Sequence, residues 1–224
     1  MSRNIKAEEG ESGIETSRVP AEARRQQLIE VAIRLFSQKG FRGTTTKEIA
    51  LAARVNEAII FRHFATKEDL YAAILDHKAC DIRVEEWIKE LNEYALNNDD
   101  EGLFRSLGQR IVEHHRRDDH FLRLMLYSAL EGHELSQKFI EKHVEPINDF
   151  LYNYIARRQQ SGAFRAGNPK AIVRAFIGMI IHHVQITRLF DCVSIRVPDE
   201  EAMETFVHLF LDGLRIAPAS ENGQ

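Results

Sequence analysis

Cysteine is nearly absent: Cys80 and Cys192 are the only two in 224 residues, too few for a disulfide framework and without metal-ligand spacing. They read as free thiols of a reducing cytoplasm. Long hydrophobic runs are missing as well. The most apolar window, "AFIGMII" at 175–181, runs into His182 and His183 and falls far short of the roughly 20 residues a membrane span needs, so a soluble chain with no membrane partner is expected. The first residues, "MSRNIKAEEGESGIET", hold no apolar core of a signal peptide and read as a solvated tail over 1–16, with a second flexible tail at 218–224. Prolines and glycines are few, which together with 44% hydrophobic residues excludes wholesale disorder and fits one or two globular domains. Alternating strand patterns and internal repeats are lacking. So are a Ser-His-Asp order, a glycine-rich phosphate loop and paired carboxylates, so the sequence implies no enzyme and no cofactor.

What is present is helical periodicity and an uneven charge. The net charge of -4 conceals a basic segment: residues 17–67 carry ten basic and four acidic groups, net +6, whereas residues 68–224 carry 18 and 26, net -8. A basic segment on an acidic body suggests that one small part meets a polyanion. The expected fold is all-α. Pro20 opens a first helix that stops at Gly40, and its apolar residues Leu28, Ile29, Ala32, Leu35 and Phe36 recur at helical spacing. Thr46 is expected to cap a short second helix, "KEIALAA", and Asn56 a third, "EAIIFRHF". Thr66 caps a long fourth helix reaching about residue 95. Further helices are read over 101–117, 119–131, 135–161, with a kink at Pro146, 169–191 and 199–215.

Two short helices joined by Arg54-Val55-Asn56 form a helix-turn-helix pattern, whose second helix enters the major groove of DNA. Thr44, Thr45, Thr46, Lys47 and Lys67 cluster at helix starts, where hydroxyl, N–H and ammonium groups hold phosphates. Asn56, Glu57, Ala58, Ile59, Phe61, Arg62 and His63 are left to divide between groove and backbone, with Arg62 and Glu57 able to hydrogen-bond base edges.

Over residues 21–71 the sequence resembles the TetR family of bacterial transcriptional regulators. The resemblance rests on "LFSQKGF", "GTTTKEIA", "ARVN", "FRHF" and "TKEDL". It implies a three-helix DNA-binding head over 17–66, with Phe61 and His63 at aromatic DNA-facing positions and Thr46 and Lys67 on phosphates. Arg54 stands where the family usually has glycine, a left-handed position that costs a non-glycine residue about 1–2 kcal/mol. The resemblance further implies a helical body over 67–217 that dimerises and holds a small effector, so that the partners are a double-stranded operator, a second copy of the chain and a small hydrophobic molecule. For the effector pocket the candidates are Trp87, Phe104, Met125, Phe139, His143, Phe150, Phe176 and Met179. For the dimer interface they are Gly178, His182 and Gln185 on one helix and Phe206, Phe210 and Leu214 on the next, stripes that without the resemblance are simply core faces. The alternatives are a helical metal-dependent or hydrolytic enzyme using the body's histidines, and a DNA-binding dimer without small-molecule control. Against metal, neighbouring histidines such as His114 and His115 point about 100° apart on a helix and cannot readily share an ion.

Overall fold

The computed structural model describes residues 20–190 and 193–216. The expected tails at 1–16 and 218–224, Cys192 and the side chain of Cys80 lie outside the described residues. Every regular element described is helical, with one isolated bridge between Phe164 and Arg215.

Helix α1, Ala21–Lys39, buries Leu28, Ile29, Ala32 and Phe36 and ends at Gly40, whose φ of 73° no side-chain-bearing residue adopts readily. The cap of α2, Thr46–Ala52, is Thr45 and not Thr46: its hydroxyl accepts from the Glu48 N–H while the Glu48 carboxylate accepts from the Thr45 N–H. The "TTT" run offers equivalent caps, and the glutamate three residues on selects the middle one. Asn56 caps α3, Glu57–His63, and Thr66 with Asp69 makes a second capping box for α4, Lys67–Ile82.

The long fourth helix is in fact two. Arg83 takes a left-handed conformation, φ 49°, and separates α4 from α5, Val84–Leu96. Apolar spacing continues on both sides of the break and arginine is no breaker, so periodicity alone joins them. The body continues with α6, Asp100–Arg117, and α7, Asp119–Leu130. The helix expected over 135–161 is α8, Glu134–Phe139, a π-helical turn, Ile140–Val144, and α9, Glu145–Gln160. Pro146 lacks the N–H that would bond one turn back, and the Glu145 N–H reaches Ile140 O, one residue further than in an α-helix. Helix α10, Pro169–Gln185, also passes into a π-turn, Ile186–Phe190, and α11, Asp199–Leu214, closes the fold.

Two apolar clusters hold the chain. One gathers α1 to α4 and takes in Phe121 and Leu124 from α7 and Phe139 from α8. The other is built from α5, α6, α9, α10 and α11 around Phe104, Phe176 and Phe210, whose ring centroids lie 4.8–5.0 Å apart. Each such phenylalanine contributes about 1.5–3 kcal/mol by leaving water.

Candidate nucleic-acid interface and ligand cavity

The head is braced from within. Ile49, Ile60 and Phe64 are buried and seat α3 against α1 and α2, while Arg54, φ 55°, makes the left-handed turn between them. This seating leaves Lys47, Ala58, Phe61 and Arg62 exposed on one basic and aromatic surface, with His63 half-buried beside them. Thr45 and Asn56 are exposed at the N-termini of α2 and α3, where caps and free N–H groups favour anions.

Several expected phosphate or base contacts are occupied inside the chain. Thr44 is fully buried, and its hydroxyl donates to Gly40 O at 2.9 Å, so it shapes the turn and does not face DNA. The Lys67 ammonium donates to Phe41 O and Thr44 O at 2.8 and 2.9 Å and lies 4.1 Å from the centre of the Phe41 ring. It therefore pins the α1–α2 corner, whose carbonyls have no helical partners. Thr46 donates its hydroxyl to the Glu57 carboxylate at 2.5 Å, which ties α2 to α3 and restrains both side chains. Ile59 packs half-buried against the head core. Lys39 hydrogen-bonds Glu48 at 2.6 Å, and this bond, followed by those from the Thr45 N–H and hydroxyl, holds the Glu48 carboxyl at about 2.

The head is joined to the body by α7, through residues that sequence reading passed over. The Glu131 carboxylate accepts from the Phe41 and Arg42 N–H groups at 3.0 and 3.1 Å, and Tyr127 donates to Gln38 O at 3.0 Å. Tyr71, from α4, donates to Leu124 O in the core, and burial pushes its hydroxyl up to about 12. Glu131 falls in "EGHE", which reads only as a helix break.

At the other end of α7 opens a cavity of about 890 Å³ among α5, α6, the α8–α9 segment and α10. Three of the expected pocket residues line it: Trp87, Phe139 and His143. The other five do not. Phe104 and Phe176 are packed shut in the body core, Phe150 and Met179 lean on that core, and Met125 leans on the head core. Aromatic type finds core and cavity residues alike, and only the packing separates them. The wall is also more polar than expected. Arg83, Arg110 and Arg117 share it with Glu90, Glu113 and Asp118, and Arg110–Glu90 and Arg117–Glu113 are ion pairs at 2.6 and 2.5 Å. Asp118 is paired with Lys78 of α4; burial raises its pKa, and the Lys78 hydrogen bond and charge more than reverse this, for a net lowering. His114 and His115 line the same wall. Among the described residues no three His, Cys, Asp or Glu side chains are grouped to hold a metal ion.

On the far side, α10 and α11 leave a stripe uncovered. Gly178 and His182 are exposed, Gln185 and Phe206 are half-buried, and a Cβ at Gly178 or Gly213 would meet nothing within 4 Å. Phe210 and Leu214, expected on that stripe, belong to the body core. Leu209, 63% exposed, takes the outer position. The apolar face of α11, with Met203, Val207, Phe210 and Leu214, is the one turned to the body core, while its outer face carries Glu204, His208 and Asp212 around Leu209.

No helix among the described residues is long and apolar enough to cross a membrane. Residues 28–74 match the family described as bacterial regulatory proteins, tetR family. The HTH-type transcriptional regulator YvkB of Bacillus subtilis (strain 168) is 27% identical over 199 residues, 84% of this chain and 96% of the relative. The biofilm operon icaADBC negative transcriptional regulator IcaR of Staphylococcus epidermidis is 25% identical over 138 residues, 59% of this chain and 68% of its own. The fold matches that of AibR, solved in complex with isovaleryl coenzyme A and operator DNA, at a TM-score of 0.66 and 24% identity, over 83% of this chain and 97% of that one. The helix-turn-helix thus lies in the segment that matches the DNA-binding part of the bacterial tetR family, and the chain is similar along most of its length to a transcriptional regulator.

Proposed function

We propose that this chain is a transcriptional regulator of the tetR type, a homodimeric repressor that leaves its operator when a small molecule enters the cavity between α5, α6 and α10. Residues 17–66 are the reading head and residues 67–217 the dimerising and sensing body. Phe61, Arg62, His63 and Ala58 meet the major groove, Lys47 and Asn56 the phosphates, Thr45 with Glu48 caps α2, and Thr46 and Glu57 hold the two helices in register. The single observation that carries the control mechanism is that Phe121 and Phe139 belong to the head's apolar cluster and also line the cavity. A molecule pressed against them acts on the core that seats α3. Because packed cores switch between discrete arrangements and do not deform smoothly, a small shift there changes the spacing of two recognition helices.

Repression is supported by the likeness to IcaR, a negative regulator, and ligand control by the shared fold with AibR, which binds both isovaleryl coenzyme A and operator DNA. Dimerisation through the exposed stripe of α10 and α11, with Gly178, His182 and Leu209 at its centre, gives the two-fold arrangement that a palindromic site needs. The test is linkage. An operator fragment is titrated with protein by fluorescence anisotropy while a compound library is screened for release, and a compound that weakens operator binding tenfold must bind the operator complex tenfold more weakly than the free dimer. A library whose binders leave operator affinity untouched would identify a DNA-binding dimer without small-molecule control.

A further inference from the structure

The cavity ends, on the side of the head, in a run of five rings. His114 stands 5.3 Å from His115 and 5.6 Å from Phe121, Phe121 stands 5.0 Å from Phe139, and Phe139 stands 5.0 Å from His143. All five line the cavity. Flat, closely spaced rings of this kind favour another flat ring over a flexible chain, because offset-stacked and edge-on contacts add to simple burial.

The polar atoms narrow the choice. His115 is 8% exposed, and its Nδ1 lies 2.8 Å from Ile111 O. A carbonyl only accepts, so Nδ1 carries the hydrogen, and burial lowers the pKa of the ring and favours its neutral form. Its Nε2 is then an acceptor. Trp87, 6% exposed, is the chain's one tryptophan, and its indole N–H, shielded from solvent, has no hydrogen-bond partner among the described residues. Of these two lining residues, one thus carries an acceptor and the other a donor. The charged groups of the lining are each paired, Arg110 with Glu90, Arg117 with Glu113, Arg83 with Glu86 and Asp118 with Lys78, which leaves no net field to draw in an anion or a cation.

We infer that the effector is an uncharged, planar aromatic molecule bearing a hydroxyl group, a phenol in chemical class, with its ring among His114, Phe121 and Phe139 and its hydroxyl toward His115. The inference rests on the effector-controlled reading above and excludes fatty acids and acyl thioesters as the preferred ligands.

The test uses the full-length dimer and four probes of matched size: para-phenylphenol, its methyl ether, biphenyl carboxylate and dodecanoate. Binding is measured by calorimetry, and the single indole N–H signal of Trp87 is followed by NMR. The expected result is that the phenol binds at least about tenfold more tightly than each of the other three, a difference of 1.4 kcal/mol, and shifts the indole signal. In His115→Phe, which keeps a ring but removes the acceptor, the preference for phenol over its ether should fall to near one. Should that variant fail to fold, the wild-type ratio decides alone. An ether as tight as the phenol, or a carboxylate or dodecanoate that binds more tightly and releases the operator, overturns the ligand class while leaving effector control intact. Operator release by a compound that never moves the indole signal removes the cavity as the site. If no probe binds and no library compound releases the operator, the effector reading itself falls.

Discussion

Replacing Glu131 with alanine should loosen the head without touching DNA. Its carboxylate accepts two backbone N–H groups, from Phe41 and Arg42, and hydrogen bonds to a charged acceptor contribute about 1.5–3 kcal/mol each when shielded. Phe41 is buried and Arg42 exposed, so the first bond counts nearly in full and the second much less, for a total of about 2 kcal/mol. The Arg42 guanidinium also donates to the Glu131 carbonyl, a main-chain contact that alanine retains. Urea unfolding of Glu131→Ala should therefore lose about 2 kcal/mol, and Glu131→Gln about half, since an amide presents one acceptor oxygen. Operator affinity should fall about tenfold, equivalent to 1.4 kcal/mol, because the corner that Glu131 clamps leads into the Thr45 cap of α2. Hydrogen exchange should quicken at residues 40–46 while the body core stays protected. An alanine variant within about 0.5 kcal/mol of wild type and with unchanged operator affinity would refute the coupling through α7.

Gly178→Leu with Leu209→Asp should turn dimer into monomer in sedimentation while leaving the subunit folded, whereas Phe210→Ala should cost about 3–5 kcal/mol of subunit stability, as its burial against Phe104 and Phe176 requires. His115 has a folded pKa below its ordinary value, so the unfolded chain binds the extra proton first and stability declines as pH falls below about 6.5; in unfolding titrations across this range His115→Gln should flatten that decline. Arg54→Gly should gain about 1 kcal/mol by relieving the left-handed backbone and should make operator binding less salt-dependent by about one phosphate contact if Arg54 faces the duplex.

Much of the head is legible in the sequence because its signals are local. Asn56 and Thr66 cap helices wherever their side chains can reach the next N–H groups, and Ile60 and Phe64 must be buried if α3 is to be amphipathic. The break at Arg83 is illegible because arginine carries no preference for the left-handed conformation it adopts there, and the apolar spacing runs on through it. The cavity is legible only in part for a related reason. Phe104 and Phe139 are the same residue type on comparable helices, and which of them meets open space depends on where α9 and α10 lie relative to α6. Glu131 and Lys67 show a third limit: a charged side chain that serves distant backbone groups looks, in sequence, like a solvated one.

The most direct test of the account is selection of duplexes from a random pool by the purified protein, followed by sequencing. Two α3 helices related by a two-fold axis should enrich a near-palindrome with half-sites spaced by about one helical turn or a multiple of it. Arg62→Ala should relax base preference within each half-site, and Lys47→Ala should weaken all duplexes alike. An enriched pool without dyad symmetry, or retention no greater than that of a protein lacking the head, would contradict it.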